Sequence, residues 1–256
     1  MGAPTPRAPQ PPSVEAQEHA CRLPAPAFRY AASVLLNLDA GELDDEPREL
    51  AALAHVLHIA CGGHAGDATS MAATLARAHA SGARVGAHPS YPDRAGFGRR
   101  ALSLPLDDLR ASLMHQVTEL ARHAAAQGLR LTSLKPHGAL YHAADGDEAL
   151  AQLLGDVASK ATGAPLALVG PPGGYLQSTA IAFGLGYLRE GFADRRYESD
   201  GTLRARTLPG ALLETVDAAV AQAKALAASG RYDTLCIHGD SPLAVPMLQA
   251  LREVFP

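Results

Sequence analysis

From Ser33 to the C-terminus the chain repeats one pattern: a short apolar run, a polar loop, then an amphipathic stretch. The apolar runs predict strands at Val34–Leu38, Val56–Ala60, Arg84–Ala87, Leu131–Leu134, Leu166–Val169, Tyr187–Leu188 and Thr234–Ile237. Between them, Leu109, Leu113, Val117 and Leu120 recur at i, i+4, i+8 and i+11, which is one face of a helix. Pro105, Asp107 and Asp108 suit that helix's first turn and Gly128 its stop. Asp67 and Gly82 bracket a second helix, and Ala211–Ala228, ended by Gly230, reads as a third. Strands alternating with helices predict a parallel sheet with crossover helices. Seven such units in about 225 residues fit a TIM-barrel-like (β/α) barrel, closed or nearly so, with a doubly wound open sheet as the other arrangement.

Residues 1–30 follow another rule. Seven prolines (4, 6, 9, 11, 12, 24 and 26) crowd the segment and no apolar periodicity appears. This predicts a flexible tail and leaves residues 31–256 as a single barrel domain. The segment lacks the apolar h-region of a secretory signal. With 47% hydrophobic and 19% charged residues, a mostly disordered chain is excluded. A net charge of −4, no Trp and 5% aromatic residues give no sign of a nucleic-acid partner. No apolar run reaches the roughly 20 residues that span a bilayer. Cys21, Cys61 and Cys236 lie far apart without a CxxC pair, which points to a reducing cytoplasm rather than a disulfide framework.

The chemistry-bearing residues come just after the apolar runs. Asp39 and Glu42 follow the first, His64 and Asp67 the second, His88 and Asp93 the third, and Lys135 and His137 the fourth. Glu190, Asp194 and Arg195 follow the sixth, and His238 and Asp240 the seventh. In a parallel α/β fold these points lie on one face, at the C-terminal ends of the strands, where sites are built. Any one of them has a bland reading: Asp67 serves equally as a helix cap. Six decorated strand ends out of seven point to a site.

Three chemistries fit the set. Asp39, His64 and His88, with His137 and His238, offer the carboxylate and imidazole that a divalent metal takes. The same groups suit general acid–base work without metal. Lys135, Arg195, Arg99 and Arg100 suit a carboxylate or phosphate. No P-loop and no GxSxG elbow is present. Pro171–Gly174 reads as a turn, and Cys61 and Cys236, closing or sitting within apolar runs, read as inert packing.

Several blocks then occur in order: Asn37-Leu-Asp-Ala-Gly-Glu42, Ile59-Ala-Cys-Gly-Gly-His-Ala-Gly-Asp67, Gly86-Ala-His-Pro-Ser-Tyr-Pro-Asp93, Gly96-Phe-Gly-Arg-Arg100, Lys135-Pro-His-Gly-Ala-Leu-Tyr141, Phe192-Ala-Asp-Arg195 with Tyr197, and Cys236-Ile-His-Gly-Asp240. Together they resemble the LamB/YcsF family, the A subunit of ATP-dependent 5-oxoprolinase, from about residue 34 to the C-terminus. The resemblance implies a seven-stranded barrel of the glycoside hydrolase/deacetylase type. It implies opening of the lactam of 5-oxo-L-proline to L-glutamate, coupled to hydrolysis of ATP to ADP and phosphate, in a complex with B and C subunits. Against the family's usual blocks, Leu38 and Ala40 stand for Cys and Leu, and His58, Gly63 and Ala68 for Asn, Phe and Pro.

On this reading Asp39, Glu42, His64, His88, Lys135, His137 and Asp240 are the catalytic candidates. Asp67, Arg99, Arg100, Glu190, Arg195 and His238 are the substrate-binding candidates. Asp39, His64 and His88 are the candidates for a divalent metal. A metal-dependent amide or sugar N-deacetylase and a non-catalytic subunit completed by its partners are the other readings, and a homo-oligomer stays open.

Overall fold

A computed structural model describes residues 34–256. The proline-rich segment 1–30 lies outside the described residues. Seven parallel strands close into a barrel in sequence order: β1 (Leu35–Ala40), β2 (Val56–Ala60), β3 (Arg84–His88), β4 (Leu131–Leu134), β5 (Ala167–Gly170), β6 (Tyr187–Phe192) and β7 (Thr234–His238). The open-sheet alternative is thereby excluded. Closure runs through β1 against β7, with Asn37 beside Cys236 and Asp39 beside His238.

Eight helices lie between and after the strands: α1 (Leu50–Leu53), α2 (Ala68–Ser81), α3 (Leu106–Ala126), α4 (Gly138–Gly146), α5 (Glu148–Lys160), α6 (Tyr175–Ala182), α7 (Val216–Ala228) and α8 (Ala244–Val254). Helix α2 starts on a capping box between Asp67 and Ser70 and stops at Gly82 in the left-handed region. Helix α3 buries the stripe Leu109, Leu113, Val117, Leu120 and carries Asp107 and Asp108 in its first turn, as its periodicity predicts. Helix α7 begins at Val216, five residues later than the sequence suggests. Leu212 and Leu213 are tied back to the barrel, with Leu212 bridging Arg195 and Leu213 N–H donating to the Asp194 carbonyl, and Thr215 then caps the helix.

The strands alternate with period two, but not in the usual sense of apolar inside and polar outside. Leu36, Leu38, Leu57, Ile59, Val85, Ala87, Leu134, Leu235 and Ile237 face the helices and join the main apolar core. The barrel interior is polar: Asn37, Asp39, His58, His88, Ser133, Lys135, Glu190 and Thr234 are all buried there. Four strand ends therefore need correction. Asp39, His88, Glu190 and His238 lie within β1, β3, β6 and β7 rather than after them, because inward-facing residues stay in the hydrogen-bonded ladder whatever their polarity.

Below the site this interior is wired by directional bonds. The Asn37 amide donates to Thr234 Oγ1 at 2.8 Å, which leaves Asn37 Oδ1 to accept from His58 Nδ1 at 3.3 Å. His58 Nε2 must then accept from Ser133 Oγ, at 3.1 Å. Burial, with Lys135 nearby, holds the His58 pKa well below the usual range, which suits this neutral tautomer. The ring fits because position 86 is glycine: a Cβ there would sit 2.6 Å from His58 Cδ2. His58, one of the departures from the family's usual blocks, thus belongs to the barrel floor.

Candidate active site at the barrel mouth

The centre of the mouth is the ammonium of Lys135, just beyond β4 and 2% exposed. Its Nζ donates to Asp39 Oδ1 at 2.7 Å, to Cys236 Sγ at 3.1 Å and to Asn37 Oδ1 at 3.4 Å, and stands 2.9 Å from Glu190 Oε1. The Glu190 contact is an ion pair without hydrogen-bond geometry, so this carboxylate balances charge from beneath. Burial opposes the ammonium, but Asp39, Cys236 and Glu190 hold its pKa well above the ordinary lysine value. Burial likewise opposes the Asp39 carboxylate, and His88 and Lys135 hold it well below the usual range. Cys236 is buried but not idle, since its sulfur accepts from Lys135; the sequence gives no sign of this.

Beside that centre stands an imidazole cluster around Glu42. Glu42 Oε1 lies 2.9 Å from His64 Nε2, 3.1 Å from His137 Nδ1 and 3.5 Å from His88 Nε2. His88 Nε2 and His137 Nδ1 are 3.0 Å apart. The opposite nitrogen of each ring meets a backbone carbonyl: His88 Nδ1 faces Lys135 O at 2.8 Å, and His137 Nε2 faces Phe97 O at 3.0 Å. The His64 ring stacks on His137, with centroids 3.6 Å apart. Burial pushes the His64 pKa down to about 4. Burial opposes the Glu42 carboxylate, but the imidazoles against it, with His64 Nε2 donating, hold its pKa below the usual range.

The loop that reaches over these rings explains the block Gly96–Arg100. Phe97 has φ 54°, the one positive value at a non-glycine among the described residues, and this turns its carbonyl onto His137. Gly98 follows at φ 63°, and a Cβ there would lie 2.9 Å from His64 Cβ and 3.0 Å from His137 Cδ2. Arg100 holds the loop from outside through both nitrogens to Asp93.

The third component is the His238–Asp194 pair. His238 Nδ1 meets Asp194 Oδ2 at 2.9 Å, and the His238 backbone N–H donates to the same oxygen at 2.9 Å. Burial opposes protonation of His238, but Asp194 outweighs it and raises the pKa.

A cavity of about 480 Å³ opens over these groups, within the roughly 300–1,000 Å³ of small-molecule sites. Asp39, Glu42, His88, Lys135, His137 and His238 line it together with Arg99 and Arg195. Its roof is a loop the sequence reading does not foresee, pinned by two antiparallel bridges (Arg195 with Leu212, Tyr197 with Leu203), which brings Leu203–Thr207 over the mouth. Arg195 is buried, donates one bond to the Arg204 carbonyl, and keeps Nε unpartnered.

Not every candidate reaches this cavity. Asp67 caps α2 and faces a neighbouring surface hollow. Arg100 is the loop clamp just described. Glu190 lies under Lys135. Asp240 sits at the rim, paired with Arg206 and with Arg99. Asp194, Asn37, Cys236 and the Phe97 carbonyl are the contributors absent from the expected set; Asp194 alone had a signal, following the sixth apolar run. Gly63, another of the departures, touches the structure differently. A Cβ there would come 2.4 Å from Ser90 Oγ and 2.5 Å from Gln116 Oε1, so those side chains fill the space a phenylalanine would need.

The molecule is thus a (β/α)7 barrel carrying a carboxylate, imidazole and ammonium site at the C-terminal ends of its strands. The chain belongs to the LamB/YcsF family, whose profile matches residues 36–256. It is 44% identical over 239 residues to the 5-oxoprolinase A subunit of Methylococcus capsulatus, covering 87% of this chain and 92% of that one. It is 39% identical over 234 residues to the 5-oxoprolinase A subunit of Symbiobacterium thermophilum, covering 85% and 89%. Among solved structures it is similar to a lactam utilization protein from Thermus thermophilus, with a TM-score of 0.79 and 33% identity over 87% of this chain and 97% of that one. Among the described residues no helix is long and apolar enough to cross a membrane.

Proposed function

We propose that this chain is the A subunit of a 5-oxoprolinase, which opens 5-oxo-L-proline to L-glutamate coupled to hydrolysis of ATP, in complex with B and C subunits. The observation that carries the reading is the near full-length similarity to two proteins named as the A subunit of 5-oxoprolinase. The cavity supports it with an acid–base set facing buried arginine. Two free, buried cysteines, Cys61 and Cys236, suit a cytoplasmic setting.

The difficulty of the reaction is the stable amide. Transfer of the γ-phosphoryl group to the lactam oxygen releases ADP and makes the carbon electrophilic. Water adds there, the C–N bond breaks as nitrogen takes a proton, and a second water releases phosphate from the acyl phosphate. Arg195, with its unpartnered Nε, holds the substrate carboxylate. Lys135 and Asp39 fix the field around the developing oxyanion. Glu42 and His137 orient the attacking water. His238, kept protonated by Asp194, gives its proton to the leaving nitrogen.

The test is 5-oxoproline-dependent release of ADP and glutamate by the chain alone and mixed with its B and C subunits. Turnover in the mixture, abolished by Lys135→Ala, is the expected result. A mixture of folded subunits that forms neither product overturns the reading.

A further inference from the structure

We infer that Glu42, His88 and His137 form a binding site for one divalent transition-metal ion of the zinc class, with His64 holding Glu42 in place. The inference does not depend on the reaction proposed above.

The partners of each ring decide which of its nitrogens carries hydrogen. A carbonyl oxygen only accepts, so the 2.8 Å contact from His88 Nδ1 to Lys135 O puts the hydrogen on Nδ1. In the neutral ring Nε2 of His88 is then a bare lone pair. The contact from His137 Nε2 to Phe97 O, at 3.0 Å, makes Nδ1 of His137 a bare lone pair in the same way. These two lone pairs face each other at 3.0 Å, with the Glu42 carboxylate at 3.1 and 3.5 Å. Three acceptors thus converge with no donor among them, an arrangement that repels itself unless a cation stands at its centre.

The spacing fits such an ion. Zinc binds imidazole nitrogen and carboxylate oxygen at about 2.0–2.2 Å, so tetrahedral ligand atoms lie roughly 3.3–3.5 Å apart. The three edges here, 3.0, 3.1 and 3.5 Å, are near that triangle and need only small outward movements. Two nitrogens and one oxygen favour zinc, cobalt or nickel over calcium or magnesium, which take oxygen. The carbonyls of Lys135 and Phe97 are the outer partners that metal-bound imidazoles generally have. Phe97 adopts its left-handed backbone at the point where it presents one of them.

His64 stands differently. Its ring is parallel to His137 at 3.6 Å, so its lone pair does not converge on the same point. Its Nε2 instead donates to Glu42 Oε1. That leaves three protein ligands and an open position toward the cavity, where a bound ion polarises a carbonyl or acidifies water. The neighbouring group Asp39, Cys236 and His238 also has metal-ligand chemistry. The Lys135 ammonium already stands against its carboxylate and its sulfur, so it needs no ion.

The full chain, stripped with chelator, is to be titrated with zinc and with cobalt. One equivalent per chain is expected after gel filtration, with a cobalt visible spectrum of a low-coordinate nitrogen–oxygen site. His137→Ala and Glu42→Gln are expected to weaken binding at least 100-fold. His64→Phe is expected to weaken it about 10- to 100-fold. Asp39→Asn is expected to keep the stoichiometry. Anomalous scattering from zinc in crystals of the unaltered chain reads the position without any variant. Density between Glu42, His88 and His137 supports the site. No equivalent bound, density only elsewhere, or unchanged affinity in folded His137→Ala overturns it, and the two imidazoles then share a proton.

Discussion

Replacing Lys135 by methionine removes a buried positive charge from the middle of the barrel while keeping most of the side-chain volume. Two carboxylates lose a partner, Asp39 at 2.7 Å and Glu190 at 2.9 Å, both almost wholly buried. Asp39 keeps the Cys236 thiol, which donates to Oδ2 at 3.9 Å, whereas Glu190 has no other ion pair among the described residues. The cost is therefore that of one uncompensated buried carboxylate, about 3–5 kcal/mol. For a domain of this size that corresponds to a melting temperature lower by roughly 6–20 °C. Denaturant unfolding of both proteins measures it, with turnover assayed in parallel. Adding Glu190→Gln to the variant is expected to restore most of the stability and none of the activity. A loss under about 1 kcal/mol would refute the reasoning that the ammonium balances buried charge.

Arg195→Ala is expected to raise KM for 5-oxoproline about 10- to 150-fold for each charged hydrogen bond lost, with a smaller effect for Arg195→Lys; steady-state assays of the subunit mixture read it. Asp67→Ala is expected to lower the melting temperature by about 2–4 °C and leave kcat/KM unchanged, since Asp67 caps α2 outside the main cavity. Burial raises the Glu46 pKa to about 7, so its carboxyl prefers to be neutral in the folded protein. Stability is accordingly lost as the pH rises from about 4.5 to about 7, by about 3 kcal/mol in all, and Glu46→Gln is expected to flatten that part of the unfolding profile.

The barrel was legible in the sequence because its outward strand faces are apolar and its helices carry clear stripes and stops. Strand ends were less so. Arg189 and Glu190 interrupt an apolar run, and only the closed sheet shows that Glu190 points inward. The site's general place followed from polar residues recurring at strand ends. Its internal division did not, because Glu42, His88 and His137 come from three separate βα junctions and no spacing ties them. The ring tautomers rest on the carbonyls of Phe97 and Lys135, which any residue could supply, so they leave no compositional trace. Asp67 and Arg100 misled because a capping or clamping group has the same side chain as a substrate-binding one.

The wired floor beneath Lys135 also constrains how this chain can drift. Asn37, His58, Gly86, Ser133 and Thr234 each fix what the next can be, through bond direction in most cases and through bare space at position 86. A methyl group at 86 alone would collide with both His58 and Ser133. Changes in this layer are therefore non-additive, and a tolerated substitution at one position depends on the residues already present at the others. Relatives that differ here are expected to differ in sets, with single exchanges between lineages failing even where both parent proteins fold.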